Sequence, residues 1–188
     1  MGRATWLLIA AGVVVAVVVT AVLVGLIWPR EHVASSRILV HQPPAAVRAV
    51  IRNFGNLPAW WTEIRTSERV PQAGPERWRQ TMSGFEMVIE VVEDSMPMRL
   101  VTRIVSPPGA AFGGTWTYEI TPVAGGSQVT ITETGWISNP LFRAIGAATG
   151  LHRTLDGYLT ALGRKLGEPV RPEQVSVMRQ ARVGGRGR

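Results

Sequence analysis

His152 and Asp156 stand four residues apart in the stretch ATGLHRTLDGYL, a spacing that on a helix sets an imidazole one turn from a carboxylate. Such a pair can hold and pass a proton near neutral pH. Glu133, in the run VTITETG, would come opposite it from a facing strand, and Tyr118, in GTWTYEITPV, would add a phenol. His152, Glu133 and Tyr118 are therefore the candidate acid/base residues. The competing reading is packing, since a lone histidine on an apolar helix face more often sits hydrogen-bonded in a core or orients a ligand than reacts. Glu133 has its own alternative, because a bulge or strand end near Gly135 would turn it outward.

The inventory excludes other chemistries. With no cysteine there is no disulfide, thiolate zinc site, iron–sulfur cluster or thiol nucleophile. The three histidines, His32, His41 and His152, fall on separate elements without metal-ligand spacing, so no metal is expected. There is no G-x-S-x-G elbow, no G-x-G-x-x-G and no Walker loop, so neither hydrolysis nor a nucleotide or other cofactor is called for. The formal charge is +7, yet residues 31–166 hold 13 Lys/Arg against 11 Asp/Glu. The excess lies at the N-terminal end and in the arginines after Gly167, which argues against a nucleic-acid surface on the folded part.

The elements that must position these residues follow from periodicity. HVASSRILVH reads as a strand; QPPAAVRAVIRNF reads as a short helix with Pro44 in its first turn, and GNLPAWWTEI as a second short helix or turn packed by Trp60 and Trp61. Six alternating runs then follow, separated by hairpin-type breaks, which predicts an antiparallel meander. Alternation puts Trp78, Gln80 and Met82 on one face with Met87 and Ile89, Thr102, Trp116 and Tyr118, then Ile131 and Glu133. Arg77, Glu90 and Arg103 fall on the opposite, wet face. From Pro140 to about Leu166 the apolar positions Leu141, Ile145, Ala148, His152, Leu155, Leu159, Leu162 and Leu166 step by four and three, one stripe of one long helix capped by Asn139. The expected object is an α+β domain, a curved antiparallel sheet of about seven strands around a long C-terminal helix. Its cavity-facing residues would be Gln80, Met82, Met87, Ile89, Thr102, Trp116, Tyr118, Ile131, Glu133, Ile145, Ala148, His152 and Leu155.

Thr5 to Trp28 carries no charge and would extend about 36 Å as a helix, enough to cross a hydrocarbon core of about 30 Å. It is longer than the apolar core of a cleaved leader and lacks a small-x-small site after it, so a retained single-pass anchor is expected. Arg30, Arg37 and Arg48 outnumber Arg3 across this segment, which points the domain to the cytosolic side by the positive-inside rule. The chain divides into an anchor over 1–30, a folded domain over 31–167 and a basic tail without fixed structure over 168–188. Membrane lipid is thus one expected partner; the oligomeric state is open. Ala21 and Gly25 form a small-xxx-small pair, a spacing common by chance.

The stretch PPAAVRAVIRNFGNLPAWW, the strand GTWTYEITPV and the turn and strand GGSQVTITETG together resemble the polyketide cyclase/dehydrase and lipid-transport family of the START-related SRPBCC superfamily. The likeness covers His32 to Leu166; Arg48 stands where that family often has Trp, and Asn53 where it often has Asp. It implies a helix-grip fold with a hydrophobic cavity between sheet and helix. It also implies a small hydrophobic ligand, such as a lipid, isoprenoid or polyketide-like molecule, either held by a membrane-tethered binding module or processed by a cyclase or dehydratase. A structural or regulatory membrane protein with a filled cavity is the third expectation.

Overall fold

The computed structural model describes residues 2–95 and 98–176. A 25-residue helix, α1 (Arg3–Ile27), is followed after three residues by strand β1 (Glu31–Val40). Helix α2 (Pro44–Arg52) starts on Pro44, whose missing N–H costs nothing in a first turn. A 3-10 helix (Phe54–Ala59) leads into the meander β2 (Ile64–Arg69), β3 (Arg77–Met82), β4 (Phe85–Ser95), β5 (Arg99–Ile104), β6 (Phe112–Val123) and β7 (Gly126–Ile137). Two C-terminal helices, α3 (Pro140–Thr149) and α4 (Arg153–Lys165), precede a two-residue strand, β8 (Glu173–Gln174). The sheet order is β2-β3-β4-β5-β6-β7-β1-β8 with antiparallel pairing, so the expected meander is present and closes on β1.

The core lies between the sheet and α4. Leu155, Leu159 and Leu162 of α4 are fully buried against Ile38 of β1, Ile120 of β6 and Val129 and Ile131 of β7, while Val47 and Ile51 of α2 close one end. Burying a Leu or Ile side chain contributes about 1.5–3 kcal/mol, so this stripe holds the helix to the sheet. Gly167, at φ +81°, ends α4, and the Glu168 N–H reaches back 2.8 Å to the Gly163 carbonyl, the six-to-one bond of a Schellman turn.

The C-terminal helix is gripped as expected, but it is two helices. Gly150, at φ +83° and ψ 137°, takes a backbone conformation closed to residues with a Cβ, and the chain changes direction there. The stripe spacing runs through this break undisturbed, which is why periodicity reads it as one helix. Only α4 covers the sheet. Beyond the break α3 packs beside the end of α1, leaving Leu141, Ile145 and Ala148 exposed instead of inward.

The first residues of the expected tail are folded. Glu173 and Gln174 pair with Arg37 and Ser36 of β1, and the Glu168 carboxylate accepts from the His41 N–H at 3.0 and 2.9 Å. Residues 177–188 lie outside the described part.

Candidate functional site

The concave face of the sheet leaves space where α4 does not reach. A cavity of about 200 Å³ is walled by Gln80 and Met82 of β3, Met87 and Ile89 of β4, Thr102 of β5, Trp116 and Tyr118 of β6 and Glu133 of β7. These eight share it because antiparallel neighbours put every second residue on the same face, and registers such as Gln80↔Met87 and Thr102↔Trp116 line them up across strands. Phe54 and Leu57 of the 3-10 helix, Trp61 after it, and Thr154 and Tyr158 of α4 complete the wall.

The cavity continues outward into a cleft of about 800 Å³. The two share Met82, Phe85, Ile104, Phe112, Glu133 and Thr154, and the outer cleft adds His32 and Glu63 with Ile145, Gly146, Thr149 and Leu151 around the end of α3. Phe85 and Phe112 meet edge-to-face at 5.5 Å in the passage between them. An enclosed apolar end with a few polar groups and a wider mouth has the form of a small-molecule site.

Aromatic rings build the inner end. Tyr158 stands edge-on to Trp61 at 5.0 Å and to Trp116 at 5.7 Å, and lies 5.8 Å from Tyr118. Thr102 faces Trp116 across the β5–β6 register, beside Tyr118 on the same wall. Burial pushes both phenols above their ordinary range, and for Tyr158 the neighbouring Tyr118 adds to the effect, so both are neutral hydrogen-bonding groups. The Trp60 and Trp61 indole N–H groups are buried, and neither has an acceptor among the described residues. Gln80 is nearly buried and its amide donates to Ser67 Oγ at 3.5 Å.

The proposed acid/base set is not assembled. His152 occupies the N-cap position of α4, part-exposed and not among the cavity-lining residues. Asp156 turns the other way: its carboxylate accepts from Ser36 Oγ at 2.6 Å, joining α4 to β1. The break at Gly150 thus removes His152 from Glu133. Leu155 and Ile131 are buried in the core rather than on the cavity wall, Ile145 lines only the outer cleft, and Ala148 lies on the exposed part of α3.

Glu133 instead meets a different histidine. His32 Nε2 of β1 lies 3.3 Å from Glu133 Oε1, at the junction of cavity and cleft. The pair exists because Gly135, opposite His32 in the β1–β7 register, has no side chain: a Cβ there would lie 2.9 Å from the imidazole. Sequence reasoning overlooked Tyr158, though its position three residues after Leu155 and four before Leu162 puts it on the same helical stripe. Trp61 was read first as packing for the short helices, in a region that could border the cavity mouth.

No curated protein matches the chain. Solved structures share its fold: a Thermus thermophilus protein at 18% identity, covering 72% of this chain and 97% of that one with a TM-score of 0.58; the Zhui aromatase/cyclase of a Streptomyces species at 11%, 73% and 94%, with 0.60; and a START superfamily protein of Mycobacterium smegmatis at 13%, 71% and 99%, with 0.56. At such identities the likeness is one of fold. The family model described as polyketide cyclase / dehydrase and lipid transport matches residues 31–167, from the start of β1 to the turn that ends α4, and the chain belongs to that family.

Proposed function

We propose that this protein is a single-pass membrane protein that binds one hydrophobic small molecule, of the lipid, isoprenoid or polyketide-like kind, in the cavity between sheet and α4, with the domain on the cytosolic side. The observation that carries this reading is the inner cavity itself, an aromatic and aliphatic pocket with few polar groups. Trp61 brings a buried donor without an acceptor among the described residues, and Tyr118 and Tyr158 bring neutral hydroxyls. An unsatisfied buried donor costs about 1–3 kcal/mol, a cost that a ligand oxygen would remove. The ligand chemistry supported is therefore an apolar body with one hydroxyl or carbonyl at its buried end. α1 supports the anchor: Ala4–Ile27 form an apolar run that contains an 18-residue stretch of mean hydropathy 3.1, none of it buried by the domain.

Native mass spectrometry of the full chain in detergent tests the binding. An apolar molecule should accompany the protein, and Thr102→Phe, which fills the pocket, should release it with the melting temperature held or raised. A wild-type chain that stays empty after exposure to a membrane lipid extract would sink the reading.

A second reading, acid/base catalysis of a cyclisation or dehydration, is favoured by the His32–Glu133 pair at the mouth. It requires the molecule released from the wild type to differ chemically from the one retained by Glu133→Gln. Identical molecules would remove it.

A further inference from the structure

We propose that α3 is immersed in the same bilayer leaflet as the end of α1, which seats the mouth of the cavity on lipid. The inference rests on the reading of α1 as a retained membrane span.

The level of α3 along α1 is the first argument. Among the described residues of α1 only Ala21, Val22 and Gly25 are shielded from solvent, and they face α3. At Gly25 a Cβ would overlap the Pro140 carbonyl, so the close approach depends on glycine. Ala144 lies in the groove formed with Thr20, Ala21 and Val24. Ala21 is about 9 Å below the end of α1, and a run of about 36 Å overhangs a 30 Å hydrocarbon core by only about 3 Å at each end. Subtracting the overhang sets the Ala21 contact about 6 Å inside the hydrocarbon boundary and the Gly25 contact at that boundary, so α3 lies within the outer layer, about 5–10 Å deep, that interfacial helices occupy.

The chemistry of α3 suits that depth. Its outward side chains are Leu141, Phe142 and Ile145, exposed by 37, 46 and 51%. It carries no acidic residue, and the Thr149 hydroxyl donates within the helix to the Ile145 carbonyl at 2.9 Å. Its one charge, Arg143, is 3% exposed and donates to three carbonyls: Nε to Gly25 at 2.6 Å, and Nη1 to Ile137 and Ser138 at 3.0 and 2.9 Å. The Gly25 carbonyl needs that donor, because its helical partner would be the N–H that Pro29 lacks. Arg143 is thus a cation at the negative end of α1, hidden from the hydrocarbon.

Position gives the helix its use. Ile145, Gly146 and Thr149 form one side of the outer cleft. A hydrophobic molecule could pass from leaflet to cavity along α3 without crossing water.

Because the chain has no cysteine, single thiols can be introduced and labelled without background. Phe142→Cys, Ile145→Cys, Val14→Cys in α1 and Val92→Cys on β4 would each carry an environment-sensitive fluorophore, in the full chain reconstituted into phosphatidylcholine vesicles containing spin-labelled lipid. Quenching at 142 and 145 comparable with that at 14, and none at 92, is the expected result. Quenching at 14 without quenching at 142 and 145 would overturn the immersion of α3 while leaving the anchor intact. A blue-shifted but unquenched label at 142 would also overturn it, since a second copy or another protein would then cover the helix. No quenching at 14 would remove the anchor reading and this inference together.

Discussion

Tyr158 of α4 and Tyr118 of β6 stand 5.8 Å apart between ring centroids, buried together at the inner end of the cavity. They are the only two tyrosines in the chain, so the phenolate absorbance of the whole protein reports on this pair alone. Their folded pKa values are raised, so stability is fully present below the ordinary tyrosine value and is lost as pH rises past it, when only the unfolded chain can ionise. Above about pH 10 no phenolate should form until the domain unfolds, and the two should then ionise in one cooperative step. A gradual, independent titration of either tyrosine in the folded state would contradict the buried pair.

Glu90 sits in line with Arg77 and Arg103 on β3, β4 and β5 and accepts from both, 2.8 Å from Arg77 Nε. The Arg77 hydrogen bond, opposed by burial and reinforced by Arg103, holds its carboxyl below the usual range. Glu76 is lowered likewise by Arg52. Groups of this kind contribute stability above the unfolded carboxylate value and lose it as pH falls through the folded one. Glu90→Gln should cost about 1–2 kcal/mol at neutral pH, because both arginines keep contact with water, and should flatten the acid limb of a stability–pH curve. Chemical denaturation across that range measures both effects.

Gly135→Ala should push the His32 ring away from Glu133 and cost about 1–3 kcal/mol by overpacking. In a His32→Ala background the same change should cost less, because the contact with the ring is gone and only the Gly113 carbonyl, 3.2 Å from the added Cβ, still has to give. A double-mutant cycle without coupling would show that the glycine serves another purpose.

Gly150→Ala should destabilise by about 1–3 kcal/mol, because alanine pays for that backbone conformation. Leu159→Ala, in the core stripe of α4, should cost about 2–5 kcal/mol. His152→Leu should change neither ligand retention nor, by more than about 0.5 kcal/mol, stability, as expected for a substitution outside the special features of a fold. Loss of ligand in a folded His152→Leu protein would return that residue to the site.

Much of the sheet was legible because alternation is a strict rule: Thr102, Trp116 and Tyr118 face the cavity once their strands are recognised. The α4 core was legible for the corresponding helical reason. What periodicity could not show was the break at Gly150, since a turn between two helices can preserve the spacing of three and four while redirecting the chain, and His152, Ile145 and Ala148 were misplaced by that single event. Glu90 was read as wet because it lies on the outer face, yet its arginine neighbours leave it only 4% exposed; their stems, not the sheet, do the covering. The His32–Glu133 pair was hidden for a different reason. It joins residues 101 positions apart through the β1–β7 register, which no local pattern contains.

Only Trp28, Pro29 and Arg30 separate α1 from β1, a link that cannot exceed about 10 Å even fully stretched. All ten residues of β1 are paired with β7, so the domain cannot peel the strand away to gain length without breaking that ladder. With α1 in a bilayer, the cavity has no leash on which to travel toward another membrane. On the proposed function, the protein would be a docking berth rather than a ferry: a ligand would have to come to it through its own leaflet, or be collected from its mouth by a carrier that moves.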